Sequence, residues 1–185
     1  QAAPDLIAVT QSSRTNGAAD AFLRREIRYE GSYDERTGAV ATTLTVTLHN
    51  DVPQPVPAAL AGSSPGLPPG SVRTFLSLHT PLDVQRLAIG GEAVLAEVYD
   101  EYGTKRIGQQ VEVPPGESRE VVFTLNGTLD LSGGYGLRVW SPPLATADRV
   151  QVRVAPAPGS NGIGTDVGTT VEGAWDRPGV FDLRG

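Results

Sequence analysis

Cysteine and methionine are both absent from the 185 residues, and lysine occurs once, as Lys105. Without cysteine the chain has no disulfide, no thiol nucleophile and no thiolate ligand for zinc or an iron–sulfur cluster. Because the sequence begins at Gln1 and has no methionine, we expect that it is not an intact translation product and that an upstream segment was removed.

Positive charge is scarce as well. Fifteen lysines and arginines stand against 21 acidic residues, which gives a net charge of −6. Nucleic-acid binding needs clustered lysine and arginine, and so does attraction to an anionic membrane surface. No apolar run reaches the roughly 18 residues of a membrane-spanning helix. We therefore expect no nucleic-acid partner and no electrostatic attraction to a membrane surface.

Aromatic residues make up only 6% of the chain, so the core must be built mainly from aliphatic side chains. Apolar and polar residues alternate with the period of a β-strand, most clearly over residues 40–48. The pattern predicts an all-β fold, an antiparallel two-layer β-sandwich of the immunoglobulin-like kind, with helix confined to a turn or two within 15–23. The roughly ten predicted strands cover 5–11, 22–33, 40–48, 72–79, 84–89, 92–99, 105–113, 119–125, 135–140 and 149–155.

Two segments interrupt the alternation. Residues 51–70 contain six prolines, which exclude a central strand and predict a stiff surface loop. From residue 156 the chain becomes rich in glycine and proline, so we divide it into a sandwich domain, 1–155, and a tail, 156–185. The tail also holds Trp175 and Phe181, and we predict that it docks in extended form against a groove or sheet edge, of its own chain or of a neighbour.

Sequence patterns that would indicate catalysis fail on chemical grounds. Residues 62–66 match the G-x-S-x-G nucleophile elbow, but the residue after Ser64 is Pro65, which has no N–H for an oxyanion hole. The glycines at 162–168 lack a following helix pattern and indicate a flexible linker. We therefore predict that the chain is not an enzyme and that it binds no cofactor.

Residues that could bind a metal are few. His49 and His79 would make half a site without an identifiable third ligand. Glu97, Asp100 and Glu101 cluster at a predicted hairpin tip, but their spacing is not that of a calcium loop. Solvated or hydrogen-bonded side chains explain both sets, and we predict no metal site.

The aromatic side chains are the candidate ligand contacts. Tyr99, Tyr102, Tyr135 and Trp140 could form a platform on which sugars stack, and the competing interpretation places them in the core. Trp175 and Phe181 are the corresponding candidates in the tail.

Several stretches together resemble a known family. They are "DLIAVTQSSRTNGAADAFLRR" at 5–25, "VTLHNDVP" and "PGLPPG" within 46–70, "RTFLSLHTPLDVQRL" at 73–87 and "VPPGESREVVFTL" at 113–125. Over roughly residues 5–155 the chain resembles the C-terminal β-rich part of the Domain of Unknown Function 4012 proteins of high-GC Gram-positive bacteria. The resemblance implies an extracytoplasmic location, at the cell surface or secreted, and a missing helical N-terminal region. It implies membrane attachment only through a missing N-terminal anchor, and it implies no activity.

Two functions remain open from the sequence. The first is a non-catalytic β-sandwich module of a bacterial cell-envelope protein, structural or partner-binding. The second is a carbohydrate-binding module, or an accessory subunit of a glycan-processing protein. A surface lined by exposed aromatic residues would favour the second, and burial of those residues would favour the first.

Overall fold

A computed structural model describes residues 5–15, 18–62, 66–101, 103–140, 142, 147–159 and, for the backbone alone, 169–175. The described residues form twelve strands and two short 3₁₀ turns, Ala19–Phe22 and Ala58–Leu60. The strands are β1 (Asp5–Ser13), β2 (Leu23–Asp34), β3 (Ala39–Asn50), β4 (Val72–Thr80), β5 (Asp83–Ile89), β6 (Glu92–Val94), β7 (Glu97–Glu101), β8 (Thr104–Val113), β9 (Ser118–Thr128), β10 (Leu137–Trp140), β11 (Asp148–Pro156) and β12 (Thr169–Trp175). No helix in this part of the chain has the length and apolarity needed to cross a membrane.

The strands form two sheets that pack face to face, which confirms the predicted all-β sandwich. The front sheet has the strand order β10-β1-β4-β8-β7, and the back sheet has the order β12-β11-β2-β3-β9-β5-β6. Most neighbours are antiparallel, but β1 with β10 and β2 with β11 run parallel. Side-chain alternation carries no information on strand direction, so the sequence did not indicate these two pairs.

The core lies between the sheets and is built from the inward half of each alternation. Along β3, Val40, Leu44, Val46 and Leu48 are at most 3% exposed, as the pattern over 40–48 predicts. Phe123 of β9 is opposite Leu44 in the register and is 1% exposed. It is the only phenylalanine among the fully buried large side chains of the described residues, so the core is mainly aliphatic.

The prediction of one strand over 92–99 is wrong, because the segment contains two strands. β6 pairs with β5 in the back sheet, whereas β7 pairs with β8 in the front sheet. Leu95 and Ala96 form the link between them. The chain therefore crosses from one sheet to the other in two residues, and a break this short hardly disturbs the apolar–polar pattern.

An ion pair is buried at the inward face of β2. Arg25 shares this face with Ile27 and Tyr29, and its side chain is fully buried. Its Nε and Nη2 donate to the two carboxylate oxygens of Asp148 on β11, at 2.9 and 2.6 Å. Its Nη1 donates to the carbonyl of Val9 on β1 in the front sheet, at 3.3 Å. Arg25 thus joins three strands of the two sheets.

The proline-rich loop is anchored more firmly than the sequence indicates. Its described prolines are exposed, as expected, but Val52 is only 3% exposed and belongs to the core. Asn50, at the start of the loop, donates from Nδ2 to the carbonyls of Gly70 and Val113, both at 2.9 Å. The two ends of the loop are therefore held together by one buried side chain.

Part of the tail forms the last strand of the back sheet. β12 pairs antiparallel with β11 of its own chain, from Val154 opposite Thr169 to Asp148 opposite Trp175. The back sheet is thus completed by a strand from beyond residue 155. Phe181 lies outside the described residues, and for Trp175 only the backbone is described.

Candidate binding face

One residue from each strand of the front sheet lies on its outward side in a single row, although Ala8 within it is only 7% exposed. The pairing registers place Trp140 of β10 beside Ala8, Ala8 beside His79, His79 beside Arg106, and Arg106 beside Tyr99 of β7. We call these five residues the aromatic row. Four strand spacings separate its two ends, or about 19 Å.

The two end residues are the exposed aromatic side chains of this face. Trp140 is 37% exposed and Tyr99 is 47% exposed. The strand neighbour Val139 points inward and is 2% exposed, so alternation sends Trp140 outward. The small side chain of Ala8 lies between Trp140 and His79.

Polar contacts fix the middle of the row. The guanidinium of Arg106 lies 4.6 Å from the centroid of the Tyr99 ring, and its Nε donates to Glu101 Oε1 at 2.8 Å. The other carboxylate oxygen of Glu101 lies 3.7 Å from His79 Nδ1, and Thr10 Oγ1 lies 3.5 Å from His79 Nε2. These contacts restrain the Tyr99 ring and reduce the entropy that it would lose on binding a ligand.

The surroundings of His79 favour the neutral form of its imidazole. Partial burial lowers its pKa from the ordinary value; the carboxylate of Glu101 opposes this shift and the guanidinium of Arg106 adds to it. A neutral imidazole offers one hydrogen-bond donor and one acceptor. The centre of the row therefore presents both kinds of polar group.

Phe75 belongs to the same face, and the sequence analysis did not identify it. It lies on β4, is half-buried, and its Cε1 would be 2.5 Å from a Cβ atom placed on Gly108. The Cβ atom placed on Gly108 would also be 2.8 Å from the carbonyl oxygen of Leu76. The Phe75 ring therefore covers the one residue of β8 that lacks a side chain. Only the register, which is not visible in the sequence, brings them together.

The predicted contact residues divide into three sets. Tyr99 and Trp140 share the aromatic row, as a surface platform requires. Tyr135 is 4% exposed and cannot contribute to a surface, so the core interpretation applies to it. Tyr102 and Phe181 lie outside the described residues, and the side chain of Trp175 is not described.

The burial of Tyr135 is explained by an interior acid. The hydroxyls of Tyr29 and Tyr135 both donate to Asp5 Oδ2, at 2.5 and 2.7 Å, and lie 3.0 Å from each other. Asp5 Oδ1 is buried without a hydrogen-bond partner. Tyr135 also stacks on Tyr33, with ring centroids 4.7 Å apart.

Burial raises the pKa of Asp5 above its ordinary value, against the hydrogen bonds from Tyr29 and Tyr135, which lower it. The folded state then holds the proton more tightly than the unfolded chain does. Asp5 therefore stabilises the fold fully below its unfolded pKa, and this contribution is lost as the pH rises through the folded pKa.

We expect the stability of the native protein, relative to an Asp5→Asn variant, to increase as the pH falls from 7 towards 4. Urea unfolding of both proteins at several pH values measures this difference. Asp34→Asn is the control with the opposite sign, because hydrogen bonds from the Thr37 side chain and the Arg36 N–H lower the pKa of Asp34. Its contribution is lost only as the pH falls through this lowered pKa, so the series for this variant extends below pH 4. A pH-independent difference for the Asp5 variant would refute the assignment.

The two histidines do not form half of a metal site. His49 lies on the outer face of the back sheet, where its Nδ1 is 2.7 Å from Ser118 Oγ. His79 lies on the outer face of the front sheet, on the other side of the sandwich. Among the described residues there is no group of three histidine or acidic side chains that could hold a metal ion.

The outer face of the back sheet offers a different surface. A shallow depression of about 460 Å³ lies there, bordered by Thr43, Thr124, Glu30 and Arg153 among others. The residues that line it include no aromatic side chain. The exposed aromatics are thus confined to the front sheet among the residues described.

Comparisons with known proteins assign no family. No protein-family model matches the chain, and no curated protein matches it. Among solved structures it is similar to a Legionella pneumophila crystal structure described as a "putative nutrient binding protein", with a TM-score of 0.44 and 11% identity. The alignment covers 79% of this chain and 55% of that one, so the chain spans about half of its length.

Proposed function

We propose that the chain is a non-catalytic, extracytoplasmic binding module of a bacterial cell-envelope protein. The outer face of the front sheet is its binding surface. The observation that carries the proposal is the aromatic row, in which Trp140 and Tyr99 are exposed on one face and in one register. The resemblance to the Domain of Unknown Function 4012 proteins supports the location.

Carbohydrate is the ligand class that the row favours over a purely structural role. Trp and Tyr combine a large apolar ring with a polar group, which suits the C–H faces and hydroxyls of sugar rings. Arg106, Glu101 and His79 supply charged and neutral hydrogen-bonding groups between the two rings. The row is about 19 Å long, so it fits an extended oligosaccharide rather than a single sugar.

The charge of the chain restricts which glycans fit. A net charge of −6 disfavours strongly anionic polymers, and on this face Arg106 and Arg73 are already paired with Glu101 and Glu112. A neutral or weakly charged cell-wall glycan is therefore the expected ligand.

A binding screen against cell-wall polysaccharides and oligosaccharides tests the proposal. We expect Trp140→Ala and Tyr99→Ala each to weaken binding by about tenfold, which corresponds to ~1.4 kcal/mol for the loss of one stacked ring. Thr124→Ala, in the depression of the back sheet, is the control and should bind like the native chain. Glycan binding that survives both aromatic substitutions would exclude the row as the site.

A further inference from the structure

Exposed apolar side chains concentrate at one side of the sandwich. Four large hydrophobic residues are exposed in the described part of the chain, and three of them lie within five positions. Leu95 is 90% exposed, Tyr99 47% and Val98 45%. Leu95 is in the link between β6 and β7, and the other two are on β7. Exposed apolar clusters of this kind mark interaction sites on soluble proteins.

Both sheets end at this side. β6 is the last strand of the back sheet and β7 the last strand of the front sheet, and the link between them brings these edges together. Among the described residues β7 pairs with β8 alone, and none of them pairs with its other backbone edge. An edge strand with free N–H and C=O groups is a template for strand addition.

The interior layer is open at β7. Val98 is opposite Ile107 in the register, and Ile107 is fully buried in the core. Val98 therefore points to the inward side of the front sheet, yet it is 45% exposed. The three-residue strand β6 is too short to cover it from the back sheet. An added strand would bury Val98 and continue the core.

The negative charge of β7 favours a basic strand as its pairing partner. β7 carries Glu97, Asp100 and Glu101, and β6 contributes Glu92. Two copies that paired antiparallel through β7 about Tyr99 would place Glu97 opposite Glu101, and like charges in direct opposition destabilise a pair. A strand with basic residues at these positions would instead gain from the same carboxylates. In this register a basic strand is therefore favoured over a second copy of this chain.

We propose that β7 is a docking strand for an extended, basic segment of a partner protein. The segment pairs antiparallel with β7 as a sixth strand of the front sheet. It places basic residues opposite Glu97, Asp100 and Glu101 and an apolar residue opposite Val98, and main-chain hydrogen bonds provide affinity. The docked strand uses the backbone edge of the sheet, whereas the proposed glycan surface is its outer face. Glu101 takes part in both, because it also contacts Arg106 and His79 of the aromatic row.

The test uses a synthetic peptide of about ten residues, a usual strand length, with lysine opposite the three carboxylates and isoleucine opposite Val98. Calorimetric titration of the native chain should show binding, and amide exchange of Glu97–Glu101 should slow. A peptide N-methylated at alternate residues cannot complete the ladder, and it should bind about tenfold more weakly or worse. A peptide with glutamate for lysine should also fail to bind.

Variants of the chain separate this proposal from the function proposed above. Val98→Lys places a charge on the docking strand and should abolish peptide binding, while Trp140→Ala should leave it unchanged. If Val98→Lys does not fold, the unmodified and N-methylated peptides still test strand addition when their binding to the native chain is compared. No binding by the native chain, or equal binding of the N-methylated peptide, would overturn the proposal whatever the glycan screen finds.

Discussion

Replacing Asp148 with alanine is expected to destabilise the domain by about 3–5 kcal/mol, the cost of leaving a buried charge without its partner. The Asp148 carboxylate accepts two hydrogen bonds from Arg25, and both side chains are fully buried. The guanidinium of Arg25 would then remain in the core without the carboxylate to which it donates. Urea unfolding measures the loss of unfolding free energy. The dependence of that free energy on urea concentration should be compared between the native chain and the variant.

A double substitution distinguishes a cost of unpaired charge from a loss of packing. Arg25→Met combined with Asp148→Leu removes both charges and keeps apolar volume at both positions. We expect this double variant to be much more stable than Asp148→Ala, because apolar replacement of a whole buried ion pair is often neutral. A loss below about 1 kcal/mol for Asp148→Ala would show that the pair is not essential to the core.

Phe123→Ala is expected to cost about 3–5 kcal/mol, as large-to-small changes of buried aromatic residues do. Phe123 is 1% exposed at the centre of the back sheet, opposite Leu44 on one side and Leu87 on the other. The core is otherwise mainly aliphatic, so the small side chains around Phe123 cannot expand to fill the cavity.

The matched control is Val122→Ala, one residue earlier on the same strand. Val122 points to the outer face of the back sheet and is half-exposed, so its truncation should cost well under half as much as that of Phe123. Thermal melts rank the two variants by stability, since the melting temperature of a domain of this size falls by about 2–4 °C per kcal/mol of lost stability. Equal losses for the two variants would contradict the inward assignment of Phe123.

Strand positions could be predicted from the sequence because burial of one sheet face imposes a period of two. β3 shows this most clearly, since every second residue from Val40 to Asn50 is buried. Arg25 interrupted the pattern of β2 in the sequence, and the structure explains the interruption through its partner Asp148. Nothing in the sequence links residues 123 positions apart.

Pairing could not be predicted, and the candidate site depends on it. Trp140 and Tyr99 were candidate contacts by residue type, but only the order β10-β1-β4-β8-β7 places them in one row. Tyr135 had the same residue type and is buried, because Asp5 and Tyr29 offer it hydrogen bonds in the interior. The docking strand depends on the switch at Leu95 and Ala96, which leaves the periodicity almost unchanged.

The same topology produces both proposed surfaces. The front sheet has five strands and the described residues leave its outer face uncovered around Trp140 and Tyr99. Its last strand, β7, is reached from the back sheet by a two-residue link, which leaves an open edge beside that face. A ligand on the face and a partner strand on the edge would thus contact neighbouring parts of one rigid sheet.

Chemical-shift mapping by nuclear magnetic resonance locates the glycan-binding surface on one sheet or the other. A glycan that binds in the screen is titrated into the isotope-labelled chain, and the shifted residues are located on the two sheets. We expect shifts at the Trp140 indole, His79, Arg106 and Tyr99, with Thr43 and Thr124 unchanged. Shifts confined to the depression of the back sheet, with the aromatic row unaffected, would contradict this expectation.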